Sequence, residues 1–134
     1  MDETEQERPA WRIEKRLTPA LAKRGFTPVP SVFLDHYWKM KVTPTEAMVV
    51  VHLLSYKWTP KHPYPRLRVI ADKMGLTPTT VRSYLRSLEK KNLVKRIPRS
   101  GQSNEFDLNP LFAKLEEIVK LEPPRKPSRR KRND

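Results

Sequence analysis

The sequence predicts a mainly α-helical fold with one small β-hairpin. Three observations carry that prediction. Thr43-Pro44 and Thr77-Pro78 both read as helix starts, with a hydroxyl at the N-cap and proline in the first turn. Gly75 lies just before the second start and suits the left-handed residue that stops a preceding helix. Glu105 to Leu108 alternates polar and apolar behind a Ser100-Gly101 turn, as a half-buried hairpin strand does.

The elements follow in chain order. Residues 9–30 offer Trp11, Ile13 and Leu17 for one side of a short helix, after which Pro19, Pro28 and Pro30 break regular structure. Val32, Phe33, Leu34, Tyr37 and Trp38 form an apolar cluster expected to pack on the domain. Thr43-Pro44-Thr45-Glu46 is a capping box. The helix it opens carries Ala47, Met48, Val49, Val50, Val51, Leu53 and Leu54, apolar nearly all round, and should be buried on several sides before ending ahead of Pro60. Residues 58–65 hold three prolines and read as a loop. A short amphipathic helix then runs from about Leu67 to Met74 and stops at Gly75. In the helix capped by Thr77, the residues Val81, Leu85 and Leu88 share one face with Tyr84 beside them, and Asn92 ends it. Leu93 to Ile97 is a strand pattern and Pro98 to Asn104 a turn. Asn109-Pro110 repeats the N-cap and N1 signature before Leu111, Phe112, Leu115, Ile118 and Val119, a last helix ending by Pro123. One domain, 31–121, is expected between an N-terminal extension, 1–30, partly disordered, and a disordered basic tail, 122–134.

Charge narrows the function classes. The chain of 134 residues carries a net charge of +13, which attracts polyanions, nucleic acid before anionic membrane. Residues 1–7 hold four acids and no base, whereas 65–96 hold nine Lys or Arg against Asp72 and Glu89. There is no cysteine, so disulfide and thiolate chemistry are excluded. No apolar run approaches the ~18 residues that span a bilayer, and the acidic start is unlike a signal peptide. A cytoplasmic protein is expected, with no membrane partner.

A short helix, a glycine turn, a second helix and a hairpin make a helix-turn-helix with a wing. The run Val69-Ile70-Ala71-Asp72-Lys73-Met74-Gly75-Leu76-Thr77-Pro78-Thr79-Thr80-Val81-Arg82, with Leu85 to Val94 after it, resembles the core of bacterial winged helix-turn-helix DNA-binding proteins. Ala71, Gly75, Val81, Leu85 and Leu88 match that family's packing positions, and Asn92 stands where it often has glycine. The resemblance covers roughly residues 43–108. Phe26-Thr27-Pro28-Val29-Pro30, Phe33-Leu34 and Thr43-Pro44-Thr45-Glu46-Ala47 bear a weaker resemblance to the entry of plasmid and phage replication-initiator winged helices.

These resemblances imply binding to double-stranded DNA, and the residues suit it. With Val81, Leu85 and Leu88 inward, a turn of about 100° per residue places Thr79, Ser83, Arg86 and Lys90 outward, with Arg82 flanking. That outer face has no acid and no large apolar residue. Thr79, Thr80, Arg82 and Ser83 are the candidates for base contacts. Arg86 and Lys90 are candidates for phosphate, as are the free N–H groups behind Thr77. The wing adds Arg96, Arg99, Ser100 and Gln102, with Arg99 expected at the minor groove or on phosphate. Transcriptional regulation is the leading reading, with plasmid or phage replication as its alternative, and an RNA-binding or protein-interaction winged helix as a further one. A homodimer is expected, because one small module reads few base pairs. Trp11 to Leu17 and the last helix are the surfaces for it.

Blander readings compete with each of these. The Arg82, Arg86 and Lys90 face can be a solvated helix surface, and Arg129-Arg130-Lys131-Arg132 a nonspecific tether. Trp38, Tyr56 and Trp58 fit core or oligomer packing better than base stacking. His36, His52 and His62 lack the spacing of a metal site, so no metal or other cofactor is expected. The scattered Asp35, Glu46, Asp72 and Glu89 suggest no enzyme, and nothing marks a small-molecule site.

Overall fold

A computed structural model describes residues 13–57 and 62–122 of the chain. The features noted at residues 1–7, Trp11, Trp58, Pro60 and Arg129 to Arg132 lie outside the described residues. Among the described residues seven α-helices and two strands follow one another: α1 (Ile13–Arg16), α2 (Pro19–Arg24), α3 (Ser31–His36), α4 (Pro44–Leu54), α5 (Leu67–Met74), α6 (Pro78–Lys90), β1 (Lys95–Ile97), β2 (Glu105–Asp107) and α7 (Asn109–Leu121). A 3₁₀ turn, Tyr37–Met40, continues α3. The order α5, Gly75 turn, α6 and hairpin is that of a winged helix. No helix among the described residues is long and apolar enough to cross a membrane.

Helix starts are set by local chemistry. Thr43 Oγ1 accepts from the Glu46 N–H at 3.2 Å while Glu46 Oε1 accepts from the Thr43 N–H at 2.9 Å, so both halves of the capping box form. Thr77 Oγ1 likewise accepts from the Thr80 N–H at 3.2 Å and opens α6. Two expectations are corrected here. Pro19 does not break the chain; it begins α2, capped by Thr18, whose Oγ1 accepts from the Leu21 N–H at 3.2 Å. Proline at this position removes only an N–H that the first turn leaves unpaired anyway. Asn109 is not an N-cap but the first residue of α7, and Leu108 precedes it. The capping oxygen comes from Asp107, whose Oδ1 accepts from the Asn109 N–H at 2.9 Å.

Helix ends follow the same logic. Gly75 adopts φ 70° and ψ 31°, the left-handed conformation that lets the chain turn out of α5. The Leu76 N–H then donates to the Ala71 carbonyl at 2.9 Å. A Cβ at Gly75 would meet nothing within 4 Å, so Gly75→Ala should cost only the left-handed backbone strain, about 1 kcal/mol. Urea denaturation measures this, and a stabilised variant would refute it. Asn92, at φ 60°, ends α6 in the same manner, with the Leu93 N–H donating to the Leu88 carbonyl at 3.1 Å.

The core lies where α4, α5 and α6 meet the hairpin and α7. Val49, Val50 and Leu53 of α4 face Val81, Leu85 and Leu88 of α6, and Ile70 and Ala71 of α5 fill the third side. Phe106 of β2, Leu111 and Leu115 of α7, and Phe33 of α3 close it. The cluster predicted at 32–38 divides: Phe33 is buried against Tyr37, whereas Leu34 and Trp38 project into solvent, Trp38 at 65% exposure. Among the described residues one charged side chain joins the core. Glu46 is 3% exposed, and the Lys91 ammonium just past α6 donates to its Oε1 at 2.6 Å and to the Lys41 carbonyl at 2.7 Å. This contact ties the start of α4 to the end of α6.

The strands pair antiparallel, with Arg96 opposite Phe106. The Phe106 N–H points away from β1 and donates to the Pro63 carbonyl at 2.8 Å, which fixes the hairpin to the loop before α5.

Candidate nucleic-acid interface

The interface is built on α6. Because Val81, Leu85 and Leu88 are buried, the opposite side of the helix presents Thr79, Ser83, Arg86 and Lys90, all exposed. Arg82 is half-buried at the flank, toward the hairpin. Thr77 and Thr80 turn toward each other, their hydroxyl oxygens 2.9 Å apart, so Thr77 is engaged in the cap as well as facing solvent. Lys90 closes the helix eleven residues after Thr79, about 16 Å along the axis, so these two side chains serve different parts of a bound polyanion.

The wing residues divide into two groups. Ser100 and Gln102 are exposed on the turn. Arg96 and Arg99 are engaged within the domain. Arg96 Nε lies 3.6 Å from Glu89 Oε2 of α6. Arg99 Nε donates to the Ser103 carbonyl at 2.7 Å, its Nη1 lies 3.6 Å from Glu105 Oε2, and its guanidinium covers the Tyr64 ring at 4.7 Å. Arg99 therefore braces the turn, a role its position in the sequence did not suggest.

Between the starts of α5 and α6 and the hairpin lies a cleft of about 420 Å³. Arg66, Arg68, Arg82 and Gln102 line it over Pro65, Phe106 and Pro78, with no acid among its lining residues. Arg66 and Arg68 were absent from the predicted site. Their signal was available, two bases spaced around the first residue of a short helix, but only the fold places them beside Arg82. A smaller cavity of about 110 Å³ continues beneath Arg82 and Arg86 to the Glu89–Arg96 pair. The arrangement offers fixed positive charge and hydrogen-bond donors along one side, which suits phosphate oxygens. Among the described residues no group of three or more His, Cys, Asp or Glu is placed to hold a metal ion. His36 Nε2 lies 2.9 Å from Glu122 Oε1, and His62 Nδ1 lies 3.7 Å from Asp107 Oδ1.

The DnaD N-terminal domain family model matches residues 29–126. The crystal structure of the N-terminal domain of DnaD protein from Geobacillus kaustophilus HTA426 superposes with a TM-score of 0.60 at 20% identity, covering 81% of this chain and 93% of that one. At that identity the likeness bears on the fold. No curated protein is matched by the sequence.

Proposed function

Since the chain belongs to the DnaD N-terminal domain family, we propose that it is a replication-associated module that binds duplex DNA. In this reading α6 enters the major groove and the hairpin rests on the flanking backbone. The observation that carries it is the acid-free outer face of α6, continuous at Arg82 with the arginine-lined cleft. Thr79, Thr80, Arg82 and Ser83 read base edges, and Arg66, Arg68, Arg86 and Lys90 hold phosphates. Gln102 and Ser100 approach from the wing, while Arg96 and Arg99 contribute charge from braced positions. Family membership supports the replication alternative over the transcriptional regulator that the sequence first suggested.

Arg82→Ala combined with Arg86→Ala tests the reading by fluorescence anisotropy on blunt duplex DNA. At ~150 mM salt the double variant should bind about tenfold more weakly or worse, with the log–log salt slope shallower by about 0.9 through loss of the Arg86 phosphate contact. Unchanged affinity and slope would remove α6 from the interface. Selection of sites from random duplex DNA addresses the finer roles. A two-fold symmetric consensus would support a homodimeric regulator, and the absence of a consensus would support a replication module held by backbone and shape.

A further inference from the structure

We propose that Tyr64, backed by Arg99 at the rim of the arginine cleft, is a stacking platform for an unpaired DNA base next to the duplex. This rests on the duplex-binding reading above and assigns it a further ligand. Tyr64 is 57% exposed, although both neighbours, Pro63 and Pro65, are buried. The two prolines fix their own φ angles, and Pro63 is tied to the hairpin through the Phe106 N–H at 2.8 Å. The ring is thus presented to solvent from a fixed backbone and loses little freedom when something packs on it. Burial in the core does not explain it.

Arg99 supplies the backing. Its guanidinium carbon lies 4.7 Å from the ring centroid, and its Nε and Nη1 are held by the Ser103 carbonyl and the Glu105 carboxylate. A ring has two faces. Arg99 takes one, and more than half of the residue stays in water. A cation on one face beside an open aromatic surface suits a base, which stacks on the ring while its phosphate meets positive charge. The phosphate position is at hand: Pro65 and Arg66, which follow Tyr64 directly, line the cleft with Arg68, Arg82 and Ser103.

The chemistry selects the ligand. In an intact duplex the base faces are stacked on one another and only edges are open to the grooves. A flat ring gains nothing from edges, so Tyr64 adds affinity only where a base is unpaired. Stacking tolerates any base, because each has a π-face. The platform therefore reads the border between duplex and single strand, not a sequence.

The test uses the full chain and two DNA probes: a blunt duplex of about 20 base pairs, and the same duplex with a short thymine overhang, compared by anisotropy at ~150 mM salt. Wild type should bind the overhang probe about tenfold tighter. Tyr64→Ala should bind both probes like wild type on the blunt one, and Tyr64→Phe should keep the preference. No preference in wild type, or a preference that survives Tyr64→Ala, overturns the platform while leaving blunt-duplex binding intact. Equal weakening on both probes overturns it too, since it marks Tyr64 as a support of the fold. Failure of the duplex reading shows separately, as blunt-duplex affinity that ignores Arg82→Ala with Arg86→Ala.

Discussion

Phe106→Ala should lower the unfolding free energy by about 3–5 kcal/mol, the range for removing a fully buried aromatic side chain. Phe106 is 1% exposed, sits at the centre of β2, and is the aromatic side chain that the hairpin inserts into the core. It also floors the arginine cleft and walls the cavity beneath Arg82 and Arg86. Three-residue strands have little pairing energy of their own, so the hairpin depends on this side chain for its seat. Small domains have only about 5–15 kcal/mol in total, so most of the stability is at stake. Urea denaturation gives the value directly. A loss under about 1 kcal/mol would mean that the hairpin is not packed through Phe106. The same variant should weaken DNA binding without removing a DNA contact.

Lys91→Met should cost about 2 kcal/mol, less than the 3–5 typical of breaking a fully buried pair because the Lys91 side chain is about a quarter exposed. What remains is a Glu46 carboxylate inside the core without its ammonium partner. Glu46→Gln in the Lys91→Met background should recover part of the loss, and the double-mutant cycle gives the coupling. A cycle that sums to zero would mean that the two groups do not interact. The pH dependence has a definite sign. Burial pushes the Glu46 carboxyl up, but hydrogen bonds from Lys91, Ser87 and the Thr43 N–H, together with the Lys91 charge, outweigh it and hold the group below its ordinary range. The resulting stability is complete above the unfolded value, about 4.3, and is lost as pH falls through the lower folded value. His52 acts earlier on the same side. Burial and then the Lys73 charge lower its pKa, so below about pH 6.5 the unfolded chain takes up a proton that the folded chain resists. Melting temperature should therefore fall in two stages on acidification. The first stage should shrink in His52→Gln and the second in Glu46→Gln.

The features legible in the sequence were those written in adjacent residues. Thr43 to Glu46, Gly75, Thr77-Pro78 and Asn92 each fix a backbone geometry within one turn, and the structure has them where the sequence puts them. Pro19 was misread because proline both breaks helices and starts them, and Thr18 before it decides which. Asn109 was misread because Asp107, two residues earlier, offers a competing oxygen. The Lys91–Glu46 bond spans 45 positions and the Phe106–Pro63 bond 43, and no local pattern announces either. In the candidate interface, the outer face of α6 followed from helical period alone. The arginines of the cleft and the inward turn of Arg99 required the hairpin to be docked first.

The bond from Phe106 to Pro63 also bears on how copies of this chain meet. A two-stranded sheet has two free edges, and an edge with unpaired N–H and C=O groups invites strand addition and aggregation. On the β2 side the Phe106 N–H is already taken, and the covering segment carries Pro63 and Pro65, which have no N–H to offer a newcomer. On the β1 side Lys95 and Arg96 are exposed, and a second copy brought alongside would set like charges together. Each border of the hairpin thus carries a feature that disfavours the addition of another strand.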